Sequence, residues 1–258
     1  MIIGAPYDAT STFRKGSREA PAAIRWASES IETYSPTQHR NLDDLALADA
    51  GDLNLDGCPC DEAVARVRQT LAHVSGVPLM LGGEHTMTVG AVEAALEHHP
   101  DLGVIILDAH LDLRDQYEGM MWSHATTLSR VLDRIPPDRI ALLGARAGTR
   151  EEWTKAESLL AVSRSGSLDA RAWSVLSGRP LYITVDIDAF DPSIAPGTGN
   201  PEPLGLTVDD FIHLVSRLRQ ATVVGADLVE VNPVYDPSGR TAILAAWLVR
   251  EMLLVFAR

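Results

Sequence analysis

The chain has 258 residues, 46% of them apolar and 22% charged, which suits a folded globular protein and excludes a disordered one. Its 22 Lys and Arg against 35 Asp and Glu leave a formal charge of −13, the wrong sign for gripping a nucleic-acid backbone. No apolar run reaches the roughly 18 residues of a membrane span, and Met1-Ile2-Ile3-Gly4-Ala5-Pro6 lacks the pattern of a secretory signal, so a cytoplasmic protein is expected.

In chain order, a strand at Met1–Gly4 is followed by helices at Ala20–Ser30 and Cys60–Val74. Strand Val77–Leu81 then leads to helix Met87–His98, Val104–Leu107 to His124–Asp133, and Ile140–Leu143 to Arg150–Ser163. Strand Leu181–Val185 precedes helix Val208–Gln220, and Thr222–Leu228 precedes Thr241–Arg258. The strands are continuously apolar rather than alternating, as a parallel sheet covered on both faces requires. With no repeat and no long linker, one α/β domain over residues 1–258 is expected. Cys58 and Cys60 are too close for an unstrained disulfide and lack further thiol or imidazole neighbours, so they are read as reduced thiols.

Ligands of such sheets sit beyond the carboxyl ends of the strands, and three of these ends carry ionisable residues. Leu81 runs into Gly82-Gly83-Glu84-His85-Thr86; alone, His85 reads as an ordinary helix-start histidine. Leu107 runs into Asp108-Ala109-His110-Leu111-Asp112, where alternation along an extended chain would bring Asp108, His110 and Asp112 to one side. Val185 runs into Asp186-Ile187-Asp188, again with two carboxylates on one face. Crowding such groups at a buried strand end is unfavourable unless a cation holds them. Two imidazoles and four carboxylates without a thiolate suit a pair of hard to borderline ions, Mn²⁺ first, with Fe²⁺, Co²⁺, Ni²⁺ or Zn²⁺ as substitutes. A paired site of this kind implies hydrolysis.

These segments, with Ser123-His124-Ala125, Asp186 to Pro203 and Asp227-Leu228-Val229-Glu230-Val231-Asn232-Pro233, resemble the ureohydrolase family of arginases and agmatinases in order and spacing. The resemblance implies a three-layer α/β/α sandwich around a parallel eight-stranded sheet, assembled as trimers or hexamers. It further implies two Mn²⁺ per subunit: His85 and Asp112 on one, His110 and Asp188 on the other, Asp108 and Asp186 bridging. A metal-bridging hydroxide would attack a guanidinium carbon, with Asp112 passing its proton to the leaving nitrogen, His124 shuttling protons and Glu230 pairing with the guanidinium. Glu84, Thr86 and Leu204 depart from residues common in the family, and Leu204 bears on loop shape near the site.

The segment Leu113-Arg114-Asp115-Gln116-Tyr117-Glu118-Gly119 resembles agmatinase-like members, and offers Asp115 and Glu118 to a distal ammonium. Agmatine is the expected substrate, ahead of aminopropylagmatine, guanidinobutyrate and arginine; Arg114 keeps guanidinobutyrate in play by offering a partner to its carboxylate. Phosphoester hydrolysis is disfavoured because only Arg114 could neutralise phosphate beside these motifs, and a non-catalytic homologue because no implied ligand is missing. Gly144-Ala145-Arg146-Ala147-Gly148 follows a strand but lacks a phosphate-loop pattern, so no nucleotide site is assigned.

Overall fold

The computed structural model describes residues 1–256. Eight parallel strands form one sheet: β1 (Ile2–Ala5), β2 (Asp49–Asp52), β3 (Leu79–Gly82), β4 (Gly103–Leu107), β5 (Ile140–Leu143), β6 (Ala161–Ser163), β7 (Pro180–Asp186) and β8 (Thr222–Val229). Their spatial order is β2-β1-β3-β8-β7-β4-β5-β6. The expected three-layer α/β sandwich is therefore present. Helices α1 (Ala20–Ser28), α6 (Ala170–Ser177), α7 (Val208–Leu218) and α8 (Arg240–Phe256) pack on one face. On the other lie α2 (Cys60–Leu71), α3 (Met87–His98), α4 (Thr127–Leu132) and α5 (Arg150–Ala156).

Successive strand residues point to opposite faces, and both faces are covered here. Ile105 and Leu107 of β4 join the first core while Val104 and Ile106 join the second. Leu79 and Leu81 of β3 split from Met80 in the same way. That is why these strands read as unbroken apolar runs.

The six strands expected from apolar runs are all present, with ends shifted by at most two residues. Both additional strands, β2 and β6, are the edges of the sheet. Asp49-Ala50-Gly51-Asp52 is exposed throughout and carries no apolar run. The helix expected to reach Ser163 stops at Ala156, and its tail becomes β6. Helix α6 and a small antiparallel ladder between residues 34–35 and 40–41 also escaped the sequence pattern. The last two residues of the expected Thr241–Arg258 helix lie outside the described residues. Among the described residues, no helix is long and apolar enough to cross a membrane.

Register places the chemistry. Leu81 pairs with Leu228, Val229 with Asp186, and Val185 with Leu107. The carboxyl ends of β3, β8, β7 and β4 thus lie side by side, and the chain beyond each supplies the residues described next.

Candidate metal centre and active site

Beyond β3, Gly83 crosses directly over Tyr7: a Cβ at that position would sit 2.0 Å from the Tyr7 carbonyl oxygen, so only glycine fits. Its carbonyl accepts from Glu230 N at 2.7 Å, which joins the ends of β3 and β8. Glu84 is buried and accepts from Thr10 N at 2.8 Å, Thr10 Oγ1 at 2.6 Å and Thr86 Oγ1 at 2.8 Å, so it anchors the loop after β1. The adjoining His85 enters the cluster of acids.

His85 Nδ1 lies 2.9 Å from Asp108 Oδ2, 3.4 Å from Asp186 Oδ2 and 3.7 Å from Asp112 Oδ2. His110 Nδ1 lies 2.9 Å from Asp188 Oδ2 and 3.6 Å from Asp108 Oδ1. Two three-residue groups result, His85–Asp108–Asp112 and Asp108–His110–Asp188, with Asp108 common to both. Asp186 stands beside His85 but belongs to neither group; its Oδ1 accepts from Asp188 N at 2.8 Å.

The orientation of His85 tests whether cations fit. Its Nε2 is 3.1 Å from Thr184 Oγ1, and that hydroxyl donates its single proton to Asp227 Oδ1 at 2.5 Å. Thr184 therefore accepts from Nε2–H, and Nδ1 is the ring nitrogen that faces the carboxylates. Nδ1 is buried without a hydrogen-bond partner. A lone pair against carboxylate oxygens is repulsive unless a cation lies between them, and a ligating imidazole held through its other nitrogen is a common metal-site arrangement. Burial pushes the Asp112 and Asp186 carboxyls well up, and repulsion from neighbouring carboxylates adds to it. The residues fit a pair of divalent ions.

Extended alternation does not account for Asp112. It adopts φ +49°, a left-handed conformation, and so does Glu230 at +63°. Such backbone states cost energy in non-glycine residues and recur where geometry is functional. Glu230 is buried, and its Oε1 accepts from His85 N at 2.8 Å. Burial pushes its carboxyl up to about 8, against the pull of that N–H bond.

A cavity of about 370 Å³ opens on these residues and is lined further out by Arg114, Tyr117, His124, Glu152 and Glu202. His124 packs edge-on against Tyr117, with ring centroids 5.7 Å apart, and its backbone N–H donates to Thr10 Oγ1 at 3.1 Å. Burial lowers its pKa, which favours the neutral ring. The Arg114 guanidinium stacks over Tyr117 at 4.7 Å and lies 3.4 Å from Glu152 Oε2. Glu152 also accepts from Leu113 N and Thr149 N.

Asp115 and Glu118, expected to meet a distal ammonium, do not line the cavity. Asp115 is 79% exposed at its side chain and pairs with Lys155 Nζ at 2.7 Å. Tyr117 and Met120 exchange two backbone bonds of 2.8 Å around Glu118 and Gly119, both at positive φ, as in a type I′ turn. Glu118 is thereby left at an exposed tip, while Tyr117 faces the cavity. Glu152 and Glu202 carried no expectation from the sequence. Glu152 sits in a Thr149-x-x-Glu152 capping box, a pattern that announces a helix start. Leu204 adopts φ +64° and is 74% exposed.

The fold and the two clusters that share Asp108 describe a site able to hold metal ions, and comparison with known proteins gives its class. The Arginase family model matches residues 1–255. The chain is 39% identical to an agmatinase of Bacillus cereus over 98% of its own length and 90% of the relative's. It is 34% identical to a guanidinobutyrase of Pseudomonas aeruginosa, covering 98% and 85%. A solved agmatine ureohydrolase of Thermoplasma volcanium superposes with a TM-score of 0.87 at 33% identity, covering 99% and 88%. The chain belongs to the arginase family, whose members depend on a binuclear metal centre.

Proposed function

We propose that the protein hydrolyses agmatine to putrescine and urea with two Mn²⁺ held by His85, Asp108, His110, Asp112, Asp186 and Asp188. The observation that carries this reading is the pair of clusters sharing Asp108 around the buried His85 Nδ1, at one end of a cavity that also holds Glu230 and His124. Mixed nitrogen and oxygen donors without thiolate favour manganese over softer ions. When bound, such ions lower the pKa of a water molecule from 15.7 towards about 7 and so provide a nucleophile at neutral pH.

The chain's own residues do the rest. Glu230, buried at the cavity wall, receives the planar guanidinium. Asp112 orients the attacking oxygen against the guanidinium carbon. As the C–O bond forms and the C–N bond breaks, neutral His124 relays a proton so that the nitrogen leaves as an amine. Glu202 is a cavity-lining residue whose carboxylate makes no hydrogen bond or ion pair among the described residues, and it is the candidate partner for the distal ammonium of agmatine. The similarity to the Bacillus cereus agmatinase supports the same substrate. A homo-oligomeric assembly rests on the family resemblance, and a cytoplasmic location suits the two free cysteines.

Guanidinobutyrate is the second reading, because Arg114 lines the cavity and the Pseudomonas relative is a guanidinobutyrase. Urea release with Mn²⁺ across agmatine, aminopropylagmatine, guanidinobutyrate and arginine decides between them. Agmatine is expected to give the highest kcat/KM, and a preference for guanidinobutyrate or arginine overturns the proposal.

A further inference from the structure

The Gly144–Gly148 segment beyond β5 has no part in the chemistry described so far, yet Arg146 reaches from it into the backbone behind the site. Its Nη2 donates to the carbonyls of Asp188 at 2.7 Å and Glu202 at 2.8 Å. Nη1 donates to Gly144 O at 2.9 Å and Ala189 O at 3.1 Å, and Nε to Pro203 O at 3.0 Å. Phe190 O lies 3.5 Å from Nη2. Among the described residues Arg146 has no carboxylate partner; its charge is met by carbonyl dipoles alone.

These carbonyls come from two separate stretches. Asp188, Ala189 and Phe190 end the single turn of 3-10 helix that presents Asp188, where carbonyls lack partners within the turn. Glu202 belongs to the cavity wall, and Pro203 follows it in the chain. A planar guanidinium with five fixed donors can bridge both, whereas an ammonium with three donors at one centre cannot.

Leu206 N already donates to Ala189 O at 2.8 Å and Asp191 N to Leu206 O at 3.0 Å, which sets the two stretches side by side. We propose that Arg146 is a positioning residue that caps the Asp188 turn and completes its tie to Glu202, so that metal retention and affinity for the substrate's tail share a dependence on this side chain. This inference rests on the assignment of His110 and Asp188 as metal ligands.

Calorimetric titration of the metal-stripped protein with Mn²⁺, beside steady-state kinetics with agmatine, tests it. Wild type is expected to take up two ions. In R146Q one of them should bind roughly 10–100-fold more weakly, and at saturating Mn²⁺ KM should rise several-fold while kcat changes little. R146K should fall between the two and serves as the variant should R146Q not fold. A purely structural role would lower Tm but leave both constants of the folded protein unchanged, and that result overturns the proposal. A change in metal affinity without a change in KM, or the reverse, overturns the coupling. Wild type that binds no ion removes the ligand assignment itself and the proposal with it.

Discussion

At the inner end of the cavity the ionisable side chains are held by neighbours from other strand ends, whereas at the mouth the charged residues of the 113–119 loop answer largely to solvent. Asp108 stands between His85 and His110, and Glu230 is fixed by His85 N and by the β3–β8 junction. Asp115 instead pairs with an exposed lysine, and Glu118 sits on a turn tip. The inner geometry follows from sheet register, so altering it alters the chemistry. The mouth depends on one short turn and can change its selectivity without touching the sheet.

That contrast can be broken experimentally. Asp108→Asn removes the carboxylate common to both clusters; kcat/KM should fall by roughly 10³-fold or more, about 4 kcal/mol, and metal analysis should show a lost ion. Turnover near wild type with both ions retained refutes the inner-end assignment. His124→Asn should lower kcat by roughly 10²–10⁴-fold. In the wild-type protein an NMR titration should place the His124 midpoint below 6.5, because burial disfavours the charged ring. Its stabilising contribution is then complete above the unfolded midpoint near 6.5 and is lost as pH falls through the lower folded one; a midpoint above 6.5 contradicts this.

Effects at the mouth should be smaller and should act on choice of substrate. Arg114→Met should raise the agmatine-to-guanidinobutyrate ratio of kcat/KM by about tenfold, equivalent to about 1.4 kcal/mol. An unchanged ratio removes Arg114 from selection. The double variant Asp115→Asn, Glu118→Gln should change kcat/KM by less than about twofold, as expected of exposed charges. A tenfold loss on agmatine would return both residues to the substrate site.

The same division explains what could be read from sequence. The six residues proposed as ligands follow unbroken apolar runs, and a strand buried on both faces declares its own end. The edge strands β2 and β6 bury too little to leave such a run, and β6 was hidden in the tail of a helical pattern. Asp115 looked available because sequence spacing does not reveal the Lys155 partner, 40 positions away. Tyr117 lay within the segment taken to bind substrate, but which of its residues turn inward was settled by a two-residue turn. Arg146 was passed over because its partners are backbone carbonyls, which leave no trace in side-chain patterns.

The exposed edge strand carries a consequence of its own. Open β-edges recruit further chains unless something discourages them. β2 begins and ends with aspartate, and Arg25 from α1 forks onto Asp49 at 2.7 and 2.9 Å and reaches Asp52 at 2.5 Å. A second copy aligning its own β2 alongside would bring like charges together and disturb that fork. The open edge of the eight-stranded sheet is thus occupied by a charged Asp49–Arg25–Asp52 network, the kind of side-chain dressing that opposes addition of a further strand.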